Sequence, residues 1–363
     1  MIDKNFCMSS YLTFRCIVKD EMEFAEGLHH SKDISYPDDQ KISVRTAQDI
    51  AKAYKQLFEE KEDSVKLGLM LSGGMDSACL AAFMKPGTDA YTLRFIGGEF
   101  RSDDLRRAEQ FAERYKLNLH YVDINWEVCE RNVNALMAKK GAPVHPIEPQ
   151  VMEAALQAQQ DGVEMMVVAD GSDLVFGGMD KMLSRDWDYD AWINFLTFLD
   201  PKRVLKEPVS MDFAFEPYKL PGNKIDYSRF MDEIFAHESN GVFCNAFITA
   251  GMKYIPYYDP SGMVKMSEPL DLQRIRNGES KYLIRELFQM CYPGFPIPEK
   301  VPMPRPTDYY FKTWRGPTRS EFRNDLNMAD FTGDQKWQMW CLERFLDLYE
   351  PETDDSGAVH TRS

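Results

Sequence analysis

Between residues 65 and 169 the chain alternates two patterns. Short apolar runs at 65–71, 89–95, 119–123 and 163–169 predict strands, and the stretches between them carry apolar residues at helical spacing. One helix begins at about Asp76 and is stopped by Pro86 and Gly87. A second, over 102–115, turns Leu105, Ala108, Phe111 and Ala112 inward. A third covers 126–139, and a fourth starts near Pro149, a residue suited to a first helical turn. Strands separated by helices of this length predict an α/β fold built on a doubly wound parallel sheet. The nearly all-apolar run at 163–169 predicts a central strand.

The flanks read differently. Upstream, residues 11–18 predict a short strand and Pro37, Asp38 and Asp39 a turn. Val44, Ala47, Ile50, Ala51, Tyr54, Leu57 and Phe58 predict an amphipathic helix from Ser43 onward. Beyond Asp180 the alternation gives way to Met- and aromatic-rich helical stretches and Pro-rich turns. Leu283, Leu287 and Phe288 mark one helix, and Trp337, Trp340, Leu342 and Phe345 mark another, their stripes serving as core. The expected organisation is therefore an N-terminal strand and helix (1–60), an α/β domain (61–180), a mostly helical C-terminal lobe (181–350) and a disordered tail (351–363).

Composition narrows the class. A formal net charge of −15 gives no overall field to gather nucleic acid or an anionic membrane. The seven cysteines are scattered and form no Cys-x-x-Cys pair, which favours free thiols over disulfides, zinc or iron–sulfur sites. No signal-peptide pattern opens the chain, and no run approaches the ~20 apolar residues of a membrane span. A cytoplasmic protein with no membrane or nucleic-acid partner is expected.

The chemistry concentrates where the first strand of the alternation meets its helix. Leu71 is followed by Ser72-Gly73-Gly74-Met75-Asp76-Ser77. Paired glycines let the backbone turn tightly and present N–H groups to an anion the size of pyrophosphate. Leu71, Ser72, Gly73, Gly74, Asp76 and Ser77 are thus candidate nucleotide contacts. The loop is neither a Walker loop nor Gly-x-Gly-x-x-Gly. A carboxylate such as Asp76 beside phosphate calls for an intervening cation, which points to Mg²⁺.

These six residues resemble the Ser-Gly-Gly-x-Asp-Ser signature of the ATP-pyrophosphatase (PP-loop) superfamily, which includes asparagine synthetase, GMP synthetase, NAD synthetase and tRNA-thiolating enzymes. A second segment, Asp170-Gly171-Ser172-Asp173-Leu174-Val175-Phe176-Gly177-Gly178, is similar to the Gly-Glu-Gly-x-Asp-Glu-hydrophobic-Phe-Gly-Gly stretch of the asparagine synthetase family. Here Asp170 and Leu174 replace two of the family's acidic residues. Three later segments also resemble that family: 255–259, Lys281-Tyr282-Leu283-Ile284-Arg285, and 298–302, which contains Lys300.

The resemblance implies a fold like that of the adenine nucleotide alpha-hydrolases, with the helical lobe completing the active site. It implies ATP and Mg²⁺ as cofactors, Gly171 at the nucleotide, and Asp76 and Asp173 as metal ligands. Lys281 and Lys300 would meet the pyrophosphate and the developing charge. The family's acidic base is replaced by Lys253 or Tyr254; Tyr254 is the candidate base, its pKa lowered by the lysine. Arg94 either lines the adenosine pocket or is a surface arginine. The implied reaction is amide formation from a small-molecule carboxylate through an acyl-adenylate, with AMP and pyrophosphate as products. Ile2 stands where the family's glutaminase nucleophile would be, and about sixty residues precede the loop, so no glutaminase domain is expected. Nitrogen would come from ammonia, a separate glutaminase or an amine on the substrate. Two alternatives stand beside this: a PP-loop enzyme modifying a nucleic-acid base, and a non-catalytic nucleotide-binding relative.

Overall fold

The computed structural model describes residues 1–29, 39, 41–62, 64–96, 103–256, 264–299 and 303–350. Lys300, Tyr257, Tyr258, Asp259, most of the expected turn around Pro37 and Asp38, and the tail 351–363 lie outside the described residues.

The chain opens with α1 (Lys4–Phe14), β1 (Ile42–Val44) and α2 (Ala47–Glu62). The alternating region follows: β2 (Leu67–Met70), α3 (Met75–Ala81), β3 (Asp89–Phe95), α4 (Asp103–Tyr115), β4 (Asn118–Ile124), α5 (Trp126–Lys140), α6 (Glu148–Gln160) and β5 (Met165–Val168). Short helices α7 (Ser172–Val175), α8 (Asp180–Leu183), α9 (Tyr189–Leu196) and α10 (Pro201–Val204) lead to a hairpin of β6 (Lys219–Leu220) and β7 (Lys224–Ile225). After α11 (Tyr227–Phe230), α12 (Ala236–Ala250) returns the chain to β8 (Lys253–Pro256). The remainder comprises β9 (Val264–Met266), α13 (Leu272–Arg276), α14 (Tyr282–Cys291), α15 (Thr307–Tyr310) and α16 (Gly333–Tyr349).

The main sheet is five-stranded and parallel throughout, in the order β4-β3-β2-β5-β8. From β2 the chain steps outward through β3 and β4, then returns to place β5 on β2's other side. The boundary between β2 and β5 is therefore a topological switch point, where open α/β sheets leave a crevice beyond the strands' carboxyl ends. The two faces are covered because successive strand residues point to opposite sides. Leu67, Leu69, Ala90 and Val167 join Tyr54, Phe111 and Phe288 in one apolar layer. Tyr91, Val122, Ile124, Met166 and Val168 join Val133, Val151 and Phe247 in the other. Local chemistry sets the helix limits: Asn125 accepts a hydrogen bond from the Val128 N–H to begin α5, and Gly141 ends it at φ 69°.

Three elements differ from the sequence expectation. Residues 11–18, read as a strand, begin in the last turn of α1 and leave it at Arg15; Asp3 caps the helix's start. Every residue of α1 from Phe6 to Phe14 is buried, so the helix has no polar face and no amphipathic period to reveal it. The helix expected from Ser43 starts at Ala47, because Ser43 lies in β1, paired with Lys265 of β9. The fifth strand, β8, falls in the region read as a mostly helical lobe; four residues ending in proline give too short a pattern.

Candidate active site

The two signature segments leave the carboxyl ends of β2 and β5, which are hydrogen-bonded neighbours, so they meet at the crevice. After Leu71, whose N–H donates to the Tyr91 carbonyl, the glycine turn is held by its own serines. Ser72 and Ser77 Oγ lie 2.9 Å apart, the Ser72 N–H donates to Ser77 Oγ at 3.0 Å, and the Gly74 N–H donates to Ser72 Oγ at 3.2 Å. Gly73 has no room for a side chain: a Cβ there would lie 2.4 Å from the Asp104 carbonyl oxygen. Arg107 Nε donates to the Gly73 carbonyl at 2.8 Å, and its guanidinium also pairs with Asp104. The start of α4 thus clamps the loop. No local motif singles out Arg107 in the sequence.

The carboxylates come from the two loops. Asp76 sits in the first turn of α3 and Asp173 in that of α7, after Gly171 turns the chain with φ 78°. Between them lies the Lys281 ammonium, 2.7 Å from Asp76 Oδ2 and 2.6 Å from Asp173 Oδ1. Ser172 Oγ donates to Asp76 Oδ1 at 2.6 Å. The Lys281 side chain is 6% exposed, against 24% and 37% for the two carboxylates, so the lysine closes the base of a site that opens through them. Burial alone would discharge the ammonium, but Asp76 and Asp173 outweigh it and hold its pKa above the ordinary lysine value. Lys281 caps α14 in a left-handed conformation, φ 49°, an unusual backbone for a lysine. Gly178 makes the arrangement possible, since a Cβ there would lie 2.0 Å from Asp173 Oδ1 and 2.5 Å from Lys281 Cε.

The other candidates have partners of their own. Arg94, near the end of β3, donates to both oxygens of Asp123 on β4 at 2.5 and 3.0 Å and covers the Tyr121 ring. Tyr254 is on β8, opposite Met166, two residues before the strand's end; its ring stacks on Phe247 with centroids 4.8 Å apart. Lys253 begins the same strand and is exposed. Lys281, Asp76, Asp173 and the glycine loop are brought together, while Arg94 pairs with Asp123 and Tyr254 stacks on Phe247.

A hard divalent cation fits the cluster. One cation, the ammonium, already lies within contact distance of both carboxylates, and oxygen donors of this kind suit Mg²⁺. Asp76 and Asp173 would hold it.

A parallel sheet with a glycine loop at its switch point, facing paired carboxylates, defines a nucleotide-type α/β domain. Residues 57–231, just under half of the chain, match the family model for asparagine synthase. No match to a glutaminase domain accompanies it. Two similar solved structures are NMN synthetase from Francisella tularensis and the U34-tRNA thiolase NcsA from Methanococcus maripaludis, the latter with its [4Fe-4S] cluster. The first is 11% identical at a TM-score of 0.29, covering 72% of this chain and all of that one. The second is 14% identical at 0.30, covering 86% of this chain and 84% of that one. The search of curated proteins gave no match. No helix among the described residues is long and apolar enough to cross a membrane.

Proposed function

We propose that the chain is an ATP-dependent amide ligase that adenylates a small carboxylate and passes the acyl group to ammonia or an amine. The observation that carries this reading is the convergence of Asp76 and Asp173, from adjacent strand ends, on one buried ammonium beside a glycine loop. A loop of this shape suits a pyrophosphate group, and the paired carboxylates supply a seat for the metal that accompanies it.

In the proposed reaction a carboxylate oxygen of the substrate attacks the α-phosphorus of ATP. The bond from that phosphorus to its bridging oxygen breaks, and pyrophosphate leaves with the electron pair. The amine nitrogen then attacks the acyl carbon, AMP departs with the electrons of the carbon–oxygen bond, and the nitrogen loses a proton. Mg²⁺, held by Asp76 and Asp173, would neutralise phosphate charge when bound. The loop from Ser72 to Ser77 positions the pyrophosphate portion with its backbone N–H groups. Lys281 supplies a fixed positive charge beside the departing group, an electrostatic contribution that typically amounts to a few kcal/mol. Lys300 is proposed as a second such cation on the strength of its segment. The test is pyrophosphate release against a panel of carboxylates, with and without ammonia.

A further inference from the structure

Arg107 lies outside every segment that resembles the asparagine synthetase family, yet it holds the middle of the glycine loop. Three successive carbonyls of the loop each accept a hydrogen bond. The Ser72 carbonyl accepts from Ser77 Oγ at 3.2 Å, and the Gly74 carbonyl accepts from the Ala78 N–H at 3.3 Å, so the loop and α3 hold these two themselves. The Gly73 carbonyl lies between them and takes its donor from another element, Arg107 Nε of α4, at 2.8 Å.

A trans peptide sends its carbonyl and its N–H in opposite directions. The carbonyl of the Gly73–Gly74 peptide faces Arg107, and its N–H, which belongs to Gly74, faces Ser72 Oγ at 3.2 Å. Turning this peptide plane over would aim the carbonyl at the serine side of the loop instead. That turn carries Gly74 from φ −88° to positive φ, a change that glycine makes at no steric cost. The paired glycines that shape the loop therefore leave this plane without a Cβ on either side to fix it.

The direction of the plane decides what an anion meets. In the proposed reaction the pyrophosphate lies on the N–H groups of the loop, and an anionic oxygen is a stronger acceptor than the Ser72 hydroxyl. With the plane turned over, a carbonyl oxygen would face the phosphate and repel it. Arg107 is itself held in place. Its guanidinium pairs with Asp104 one turn earlier on α4, and the two side chains are 21% and 24% exposed. With Asp104 balancing its charge, Arg107 acts on the loop and not as a phosphate contact. We infer that Arg107 is a positioning residue whose Nε–H fixes the Gly73–Gly74 peptide, carbonyl away from the anion and N–H toward it. That the anion is pyrophosphate rests on the proposed reaction; the direction of the peptide does not.

The experiment compares Arg107→Met with Arg107→Gln in the full chain. Both lose the charge and the fork that meets Asp104. Glutamine keeps an N–H donor as many bonds from the backbone as arginine Nε, whereas methionine has none. Affinity for inorganic pyrophosphate with magnesium is measured by titration calorimetry. Glycine labelled at its carbonyl carbon and its nitrogen marks the Gly73–Gly74 peptide, one of three Gly–Gly peptides in the chain, for NMR. Arg107→Met is expected to bind pyrophosphate about tenfold more weakly than wild type, or worse, with a broadened or doubled Gly74 amide signal. Arg107→Gln should stay within about threefold of wild type and keep a single signal. Arg107→Ala, which also lacks a donor, takes the place of Arg107→Met should that variant fail to fold. Equal weakening in the methionine and glutamine variants, or wild-type affinity in Arg107→Met, would overturn the positioning role. Absence of pyrophosphate binding in the wild type would refute the proposed reaction. A doubled Gly74 signal confined to Arg107→Met would then still uphold the positioning role, and a single signal in both variants would overturn it.

Discussion

Gly178 and Asp173 are packed so closely that a single carbon on Gly178 would lie 2.0 Å from the Asp173 carboxylate oxygen that faces Lys281. The missing side chain is what lets the carboxylate and the ammonium meet. Gly178→Ala is expected to destabilise the fold by about 1–3 kcal/mol through overpacking and to displace Asp173. The checks are thermal melting and a magnesium titration followed by melting temperature. A variant as stable and as magnesium-responsive as the wild type would show that the contact is not constraining.

Lys281 holds two carboxylates that would otherwise repel each other. Lys281→Met should lower stability by about 2 kcal/mol, less than for a fully buried pair because Asp76 and Asp173 are part-exposed. Magnesium should then stabilise the variant more than it stabilises the wild type, since the metal replaces the lost cation. Asp76→Asn and Asp173→Asn should each remove magnesium-dependent stabilisation and activity. Thermal melts at zero and at millimolar magnesium decide this; an equal magnesium response in wild type and Lys281→Met would contradict it.

For Lys300 the expectation comes from its segment. Lys300→Met should keep nucleotide affinity within a few-fold and lower turnover on the order of a hundredfold, as for a charge that acts mainly in the transition state. Single-turnover pyrophosphate release alongside nucleotide binding measures both quantities. Equal rates would remove Lys300 from the mechanism.

Far from the site, Glu321 links the chain's start to its end. Burial works against its carboxylate, but Arg319 at 2.8 Å and Lys4 at 3.2 Å outweigh it, lowering its pKa from 4.5 to about 2. A depressed carboxylate stabilises the fold above its unfolded pKa and loses that contribution as pH falls through the folded value. Glu321→Gln should therefore be less stable than wild type at neutral pH, with the difference shrinking between about pH 4.5 and 2. A difference independent of pH across that window would show that the charge is not responsible.

Much of this was legible in the sequence. The strands at 89–95 and 119–123 are recognisable because compact β-rich runs alternate with helices whose apolar period is clear. The loop at Ser72 to Ser77 and the segment around Asp173 fall at strand ends, which locates the crevice. What escaped has physical reasons. Helix α1 is buried on all sides and shows no period. Strand β8 is four residues long. The role of Arg107 depends on where α4 begins relative to Gly73, a tertiary fact. The pairing of Arg94 with Asp123 and the stacking of Tyr254 on Phe247 are likewise tertiary contacts that no local pattern displays.

The central claim is the reaction, and nucleotide product analysis tests it most directly. Purified protein is incubated with ATP, magnesium, ammonia and a panel of carboxylates, and the products are separated by chromatography. The proposed function predicts AMP and pyrophosphate in equal amounts, dependent on a carboxylate and abolished in Asp76→Asn. ADP and orthophosphate as the products, or AMP formation indifferent to every carboxylate offered, would contradict it.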